Sequence, residues 1–409
     1  MTHGLPRRFL DLLTRPRVRG AAWWSVVSRV PVYLMSLALV LTVREQGGSY
    51  AQAGLTAALY TIGMALGSPL IARRLDRNGR AAVLTATAVA YPAALAVLVW
   101  ATRPGGWGQP VAALVAGVVL PPANACMRSL WARLPLRKEE RETAYLWEAL
   151  LTEVLVIGAP LMLAALMLVG SAGLALTAVA VVGGLGTLGL AYTGLPEGTE
   201  GAPAAGPGGA RHPLGPLREP ALLALAGVMA VSAVPIGLLT LAIPAFVDRH
   251  GAPGGAGVVY ACWGVGSALG ALWLGRSQSR VAPGVRLPRL LLAYALGTGL
   301  TLLAGSQPAL AVALAVGSVP IALVSATEMT LVSGIADEGS MAEAFTWASL
   351  ATVLGDALGQ QAGGLLMDPF GPRVVFAAAT GTALAAAALA LACRGLLARQ
   401  AAPEAECAA

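Results

Sequence analysis

The chain is poor in charge. Only 11% of its 409 residues are Asp, Glu, Lys or Arg, against about 25% in a soluble globular domain. That deficit excludes an ordinary water-soluble fold. Histidine is scarce, and His3, His212 and His250 all fall in tails or loops between apolar runs. The four cysteines, Cys126, Cys262, Cys393 and Cys407, show no CxxC or Cys/His spacing. They read as reduced structural residues, with no metal expected. No glycine loop leads into a Lys, which argues against ATP as an energy source. Gly264, Gly266 and Gly270 lie inside an apolar run and fit helix packing instead. No nucleophile–base pair is visible, so neither an enzyme nor a cofactor is expected. The basic stretch Met1 to Gly20 lacks a short apolar core ending in a cleavage site, and no signal peptide is expected.

Apolar sequence fills the space left by these absences. Hydrophobic residues make up 57% of the chain, mean hydropathy is +0.72, and there are 50 glycines. Runs of roughly 20 apolar residues cross a 30 Å hydrocarbon core as helices. Twelve such runs can be marked, at roughly 21–43, 53–72, 81–102, 109–131, 143–169, 171–193, 221–247, 255–275, 287–306, 308–332, 341–367 and 373–393. The abundance of small residues suits close helix–helix approach in lipid. The expected fold is therefore an all-α membrane protein of twelve transmembrane helices.

The positive charge sorts by side. Of 27 Lys and Arg, 22 fall in the even-numbered links and the two termini, four fall in odd links, and Arg29 lies within a span. By the positive-inside rule this puts both termini in the cytoplasm. The net charge of +7 is thus a topology signal, with no nucleic-acid partner implied. The Gly/Pro/Ala-rich stretch 195–220 reads as a flexible linker. It divides the chain into an N-terminal half, 1–194, and a C-terminal half, 221–409.

The halves repeat. Gly54, Gly63 and Gly67 correspond to Gly257, Gly266 and Gly270 at an offset of 203, as do Arg73 and Arg77 to Arg276 and Arg280. Pro31 pairs with Pro235, Pro121 with Pro320, and Trp147 with Trp347. Six spans per half start both halves on one side, so the expected repeat is parallel.

The link between the second and third runs, Arg73-Arg74-Leu75-Asp76-Arg77-Asn78-Gly79-Arg80, is a short basic loop. With the six-plus-six layout it resembles the major facilitator superfamily. The family's signature in this loop ends in Asp-Arg-x-Gly-Arg, and Asp76, Arg77, Gly79 and Arg80 match it. Ala72 and Ala81 depart from the usual Gly and basic residue on either side, and Ser279 replaces the Asp in the second half. The sequence also resembles actinobacterial drug or metabolite exporters through Arg29-Val30-Pro31, through Met127-Arg128 with Trp131, and through Glu343-Ala-Phe-Thr-Trp347. Gly158-Ala159-Pro160 is loosely similar to an antiporter element. The resemblance implies that the loop latches onto the cytoplasmic end of span 11, with Arg77, Arg80 and Arg128 or Arg133 sharing the network. A solvated topology signal is the plainer reading of the same residues. The resemblance also implies that spans 1, 4, 7 and 10 line a central cavity and that spans 5 and 11 flank it. Spans 1, 4, 7 and 10 each carry an internal proline here.

Charged groups inside spans cost several kcal/mol unless paired or facing water. Arg29 in span 1 reads either as a contact for substrate or a carboxylate, or as an anchor snorkelling to the interface beside Trp23 and Trp24. Glu153 in span 5 and Asp356 in span 11 lie near mid-depth, where a carboxylate suits proton carriage; a structural hydrogen bond is the alternative. Gln360 and Gln361 are hydrogen-bonding candidates beside Asp356, and Asn124 follows the Pro121-Pro122 kink. Glu328 in span 10 reads as a gate partner for Arg128 or as an exposed group at the cytoplasmic mouth.

Taken together, these readings give an expected function of proton-coupled export of a small lipophilic compound by a monomer in the plasma membrane. Import of a sugar or other metabolite, or a non-transporting receptor or scaffold, are the alternatives.

Overall fold

The computed structural model describes residues 14, 16–134, 137–193, 218–250, 255–276, 281–337 and 340–399. Nearly the whole expected linker, 195–220, lies outside these residues. The described residues form helices joined by short turns and links, with no strand among them. Among the described residues, ten helical stretches are long and apolar enough to cross a membrane. The expectation of twelve spans is larger for visible reasons. The helix Pro283–Gly299 has only 17 residues, and the helix Met341–Phe370 carries Glu343, Asp356, Gln360, Gln361 and Asp368.

The chain packs as two units. The first comprises Met1–Gly48 and Leu59–Gly206, the second Ser49–Ala58 and Pro207–Ala409.

Unit 1 begins with α1 (Pro16–Glu45) and then α2 (Tyr50–Asn78), whose first residues belong to unit 2. The basic link expected as a loop from Arg73 to Arg80 is instead helical as far as Asn78. Arg and Leu are strong helix formers, and nothing from Arg73 to Arg77 interrupts them. The turn narrows to Gly79, at φ 78° and ψ 157°, a region that glycine alone adopts readily. Arg80 already opens α3 (Arg80–Ala96), which runs on through a π turn at Val97–Ala101.

The fourth apolar run is broken in two, as α4 (Gly108–Val118) and α5 (Ala123–Arg133). Pro121 and Pro122 fall in the gap. They would have supplied the amides for the carbonyls of Gly117 and Val118, and proline has none. Unit 1 closes with α6 (Lys138–Met167) and α7 (Ala172–Ala191). Ser171 ends the short link between them by capping α7, its Oγ accepting from the Leu174 amide at 3.1 Å.

Unit 2 contains α8 (Pro220–Arg249), α9 (Gly255–Arg276) and α10 (Pro283–Gly299), followed by α11 (Gln307–Gly317), α12 (Val319–Ile335), α13 (Met341–Phe370) and α14 (Pro372–Ala392), with the short α15 (Arg394–Arg399) last. The junction of α11 and α12 lies at Ser318, one residue before Val319-Pro320. Pro31 and Pro235 sit inside unbroken helices.

Small residues set the packing within each unit. In unit 1, a Cβ on Gly63 or Gly67 of α2 would run into the backbone of α4 at Leu114 or Val118. In unit 2, a Cβ on Gly266 or Gly270 of α9 would meet the backbone at Ala315 or Val319. With no hydrophobic drive between helices in lipid, such close backbone approach supplies the dispersion contacts that hold them. The most extensive packing in unit 2 joins α13 to α8, where Gly355 and Gly359 press against the backbone at Ala230 and Val234.

Candidate functional site

In unit 1 the charged groups converge on Glu148. Arg29, on α1, is 1% exposed. Its Nη1 donates to Glu148 Oε2 at 2.5 Å. The other carboxylate oxygen accepts from Trp131 Nε1 on α5 at 2.9 Å, and Trp131 is fully buried. One carboxylate thus joins α1, α5 and α6. Arg29 Nε and Nη2, the side edge of the guanidinium, are buried and have no hydrogen-bond partner among the described residues. That edge is the one that takes a carboxylate or phosphate with two parallel bonds. Nearby, the Ser28 and Thr187 hydroxyls pair α1 with α7 at 2.6 Å.

Sequence reasoning missed Glu148. It directly follows the Glu142-to-Trp147 segment that the repeat singles out, and that adjacency was the available signal. Glu153, the residue favoured on α6, is five positions further on and half-buried. At about 100° per residue it points well away from the Glu148 face. Asn124 is half-buried in the first turn of α5, just after the break.

In unit 2 the buried charges are carboxylates. Glu328 on α12 is 4% exposed, so it is not a group open to the cytoplasmic mouth. Ser232 of α8 donates to its Oε1 at 3.0 Å. Beside it, Arg286 of α10 donates from Nε and Nη2 to Thr327 Oγ1 at 3.1 and 2.8 Å. Asp356 on α13 accepts from Gln360 Nε2, one helical turn on, through Oδ2 at 3.0 Å. Its Oδ1 is buried with no partner among the described residues, as is Gln361 Oε1. Gln360 itself is 1% exposed.

The residues of the basic turn are spread out. Arg77 is exposed and Arg80 half-buried, and Gly79 makes the turn. The side chains of Asp76 and Arg128 lie outside the described set. The sequence reading also passed over the other end of α2. There Asp368, near the end of α13, accepts from the Tyr50 and Ala51 amides at 3.0 and 2.9 Å, and Asp248 of α8 accepts from the Tyr50 hydroxyl at 3.1 Å.

The described residues thus form helices of membrane-spanning length, with buried charges held by hydrogen bonds between helices at Glu148 and Glu328 and within one helix at Asp356. They contain no cluster of three His, Cys, Asp or Glu fit for a metal. The family model of the Major Facilitator Superfamily matches residues 25–359. The chain belongs to the Major Facilitator Superfamily. Solved transporter structures share its fold. The nucleoside transporter NupG superposes with a TM-score of 0.77 at 12% identity, covering 92% of this chain and 99% of that one. A peptide transporter, POT, gives 0.69 at 15% identity over 93% and 94%. A bacterial homologue of the human lysosomal transporter Spinster gives 0.63 at 16% over 96% of each chain. At these identities the likeness is one of fold. No curated protein matches the sequence.

Proposed function

We propose that this superfamily member is a secondary active transporter that exports a small lipophilic organic compound in exchange for protons, by alternating access. The observation that carries the proton part is Asp356, a carboxylate on α13, which this reading takes as a span: one oxygen is held by Gln360 and the other is buried without a partner among the described residues. A charged carboxylate there costs several kcal/mol. Protonation relieves that cost, which suits the group to take up and release a proton. Glu153 is the second candidate carrier. Arg29, whose Nη1 is held by Glu148 while its buried Nε and Nη2 have no partner among the described residues, is the candidate contact for cargo, and Asn124 is a further candidate on the pathway. The mostly Ala, Val and Leu lining of the proline-bearing spans favours a lipophilic cargo over a sugar.

The same reading takes the chain as twelve spans in two parallel repeats, with both termini cytoplasmic, acting as a monomer in the plasma membrane in the manner of actinobacterial exporters. The matching glycine contacts of α2 with α4 and of α9 with the α11–α12 segment support the repeat. Asp76, Arg77, Gly79, Arg80, Arg128 and Glu328 form the gating set in this reading.

Inverted vesicles under an imposed pH gradient, loaded against a panel of lipophilic compounds, test the proposal. Gradient-dependent uptake is expected, and it is expected to disappear in a Glu153→Gln, Asp356→Asn double variant. Coupling retained in that variant would remove both residues as carriers, and uptake of no compound would count against export.

A further inference from the structure

A lateral groove of about 520 Å³ runs along unit 1 between the second half of α2 and α3. Its walls come from Leu70, Ile71, Arg74 and Asn78 on one helix and from Ala82, Val83, Ala86, Thr87 and Ala90 on the other. Leu70, Arg74 and Asn78 are spaced four apart, as are Ala82, Ala86 and Ala90, so each wall is one helix stripe. From Ala82 to Ala90 the groove is about 12 Å long by helical rise. Its floor is Val118 and Val119, where the fourth run breaks. The Val118 carbonyl has lost its helical donor there, since Pro122 has no amide.

The two ends of the groove differ. Away from the Gly79 turn its lining is mostly aliphatic, with Thr87 the one hydroxyl. At the turn, Arg74 and Asn78 are exposed on its rim, with Arg73 and Arg77 exposed alongside. Arginines outnumber acids four to one between positions 73 and 80. Such a groove complements a ligand with one anionic end and a long apolar body. In a bilayer, the molecule of that form available at high concentration is a lipid. Basic pockets between transmembrane helices bind anionic headgroups, at about 1 kcal/mol per Lys or Arg.

We propose that this groove is a binding site for an anionic phospholipid, its phosphate at Arg74 and one acyl chain lying along Ala82, Ala86 and Ala90 over Val118. The site is separate from the buried charges described above and does not depend on what the protein transports. An occupied groove would brace α2 against α3 beside the single-residue turn.

The test uses the full chain purified in detergent, with lipid retention read by native mass spectrometry and thermal stability read after adding phosphatidylglycerol or phosphatidylcholine. Wild type is expected to retain phosphatidylglycerol selectively. Arg74→Gln should weaken that retention about fivefold, the equivalent of ~1 kcal/mol. Ala86→Phe should fill the groove and lower retention without changing charge. Both positions are exposed, so both variants should fold, and unchanged helical content would verify it. Equal retention of the two lipids would overturn the proposal, as would an unaltered Arg74→Gln. Displacement of the lipid by millimolar inorganic phosphate, or indifference to Ala86→Phe, would reduce the site to an anion contact and overturn the acyl-chain placement.

Discussion

A buried guanidinium such as that of Arg29 is stable only while its partner is present. Removing one member of a buried ion pair typically costs 3–5 kcal/mol, because the other is left charged in a poor solvent; replacing both is often close to neutral. Glu148→Gln should therefore lower the unfolding midpoint in detergent more than the double variant Arg29→Gln, Glu148→Gln does. Additive losses would mean that the two side chains are not coupled. Trp131→Phe should cost less, about 2 kcal/mol plus a small packing change, since it removes one hydrogen bond to a charged oxygen. At this scale the sequence was only half legible. An arginine in an apolar run announces itself, because its cost does not depend on where the helices lie. Its partner does depend on that. Glu148 and Glu153 are both acids on α6, and only the packing of α1 and α5 chooses between them.

At the scale of elements, length and apolarity were easily read and the breaks were not. The basic link looked like a loop because its charge marks it as lying outside the membrane. Charge does not unwind a helix, and α2 continues until a residue that cannot extend it. Gly79→Ala should thus cost about 1–2 kcal/mol for forcing a side chain into positive φ. The loss should appear as a lower melting temperature, with helical content unchanged. No Cβ clash contributes, since nothing lies within 4 Å of that position. A midpoint equal to wild type would show that the turn relaxes elsewhere. The other end of α2 depends on Asp368, which accepts from two first-turn amides. Asp368→Ala should cost about 1 kcal/mol as a lost cap with a favourable dipole contact. Asp368→Asn should recover part of that loss. The sequence hid this cap because Asp368 is more than 300 positions away from the amides it serves.

On the scale of the whole molecule, the superfamily fold was legible from hydropathy, the sidedness of arginine and the glycine offsets, because lipid allows so few solutions. The cargo of the proposed transport was not legible. It depends on a handful of side chains whose neighbours the sequence does not name. One feature of the fold bears on this. The two broken runs are not equivalent. Before α5, Pro121 and Pro122 remove two consecutive donors, and the amides of Ala123, Asn124 and Ala125 start a helix with no carbonyl four residues back in helical register. At the second junction the chain recovers at once, with Ser318 N donating to Leu314 O at 2.9 Å and Ile321 N to Ser318 O at 2.9 Å. Backbone donors without partners in a bilayer draw in water. Amide deuterium uptake at Ala123–Ala125 should therefore outpace that at Val319–Ala322 in protein reconstituted into nanodiscs. The first junction would then be a hydrated notch within the hydrocarbon, while the second stays dry.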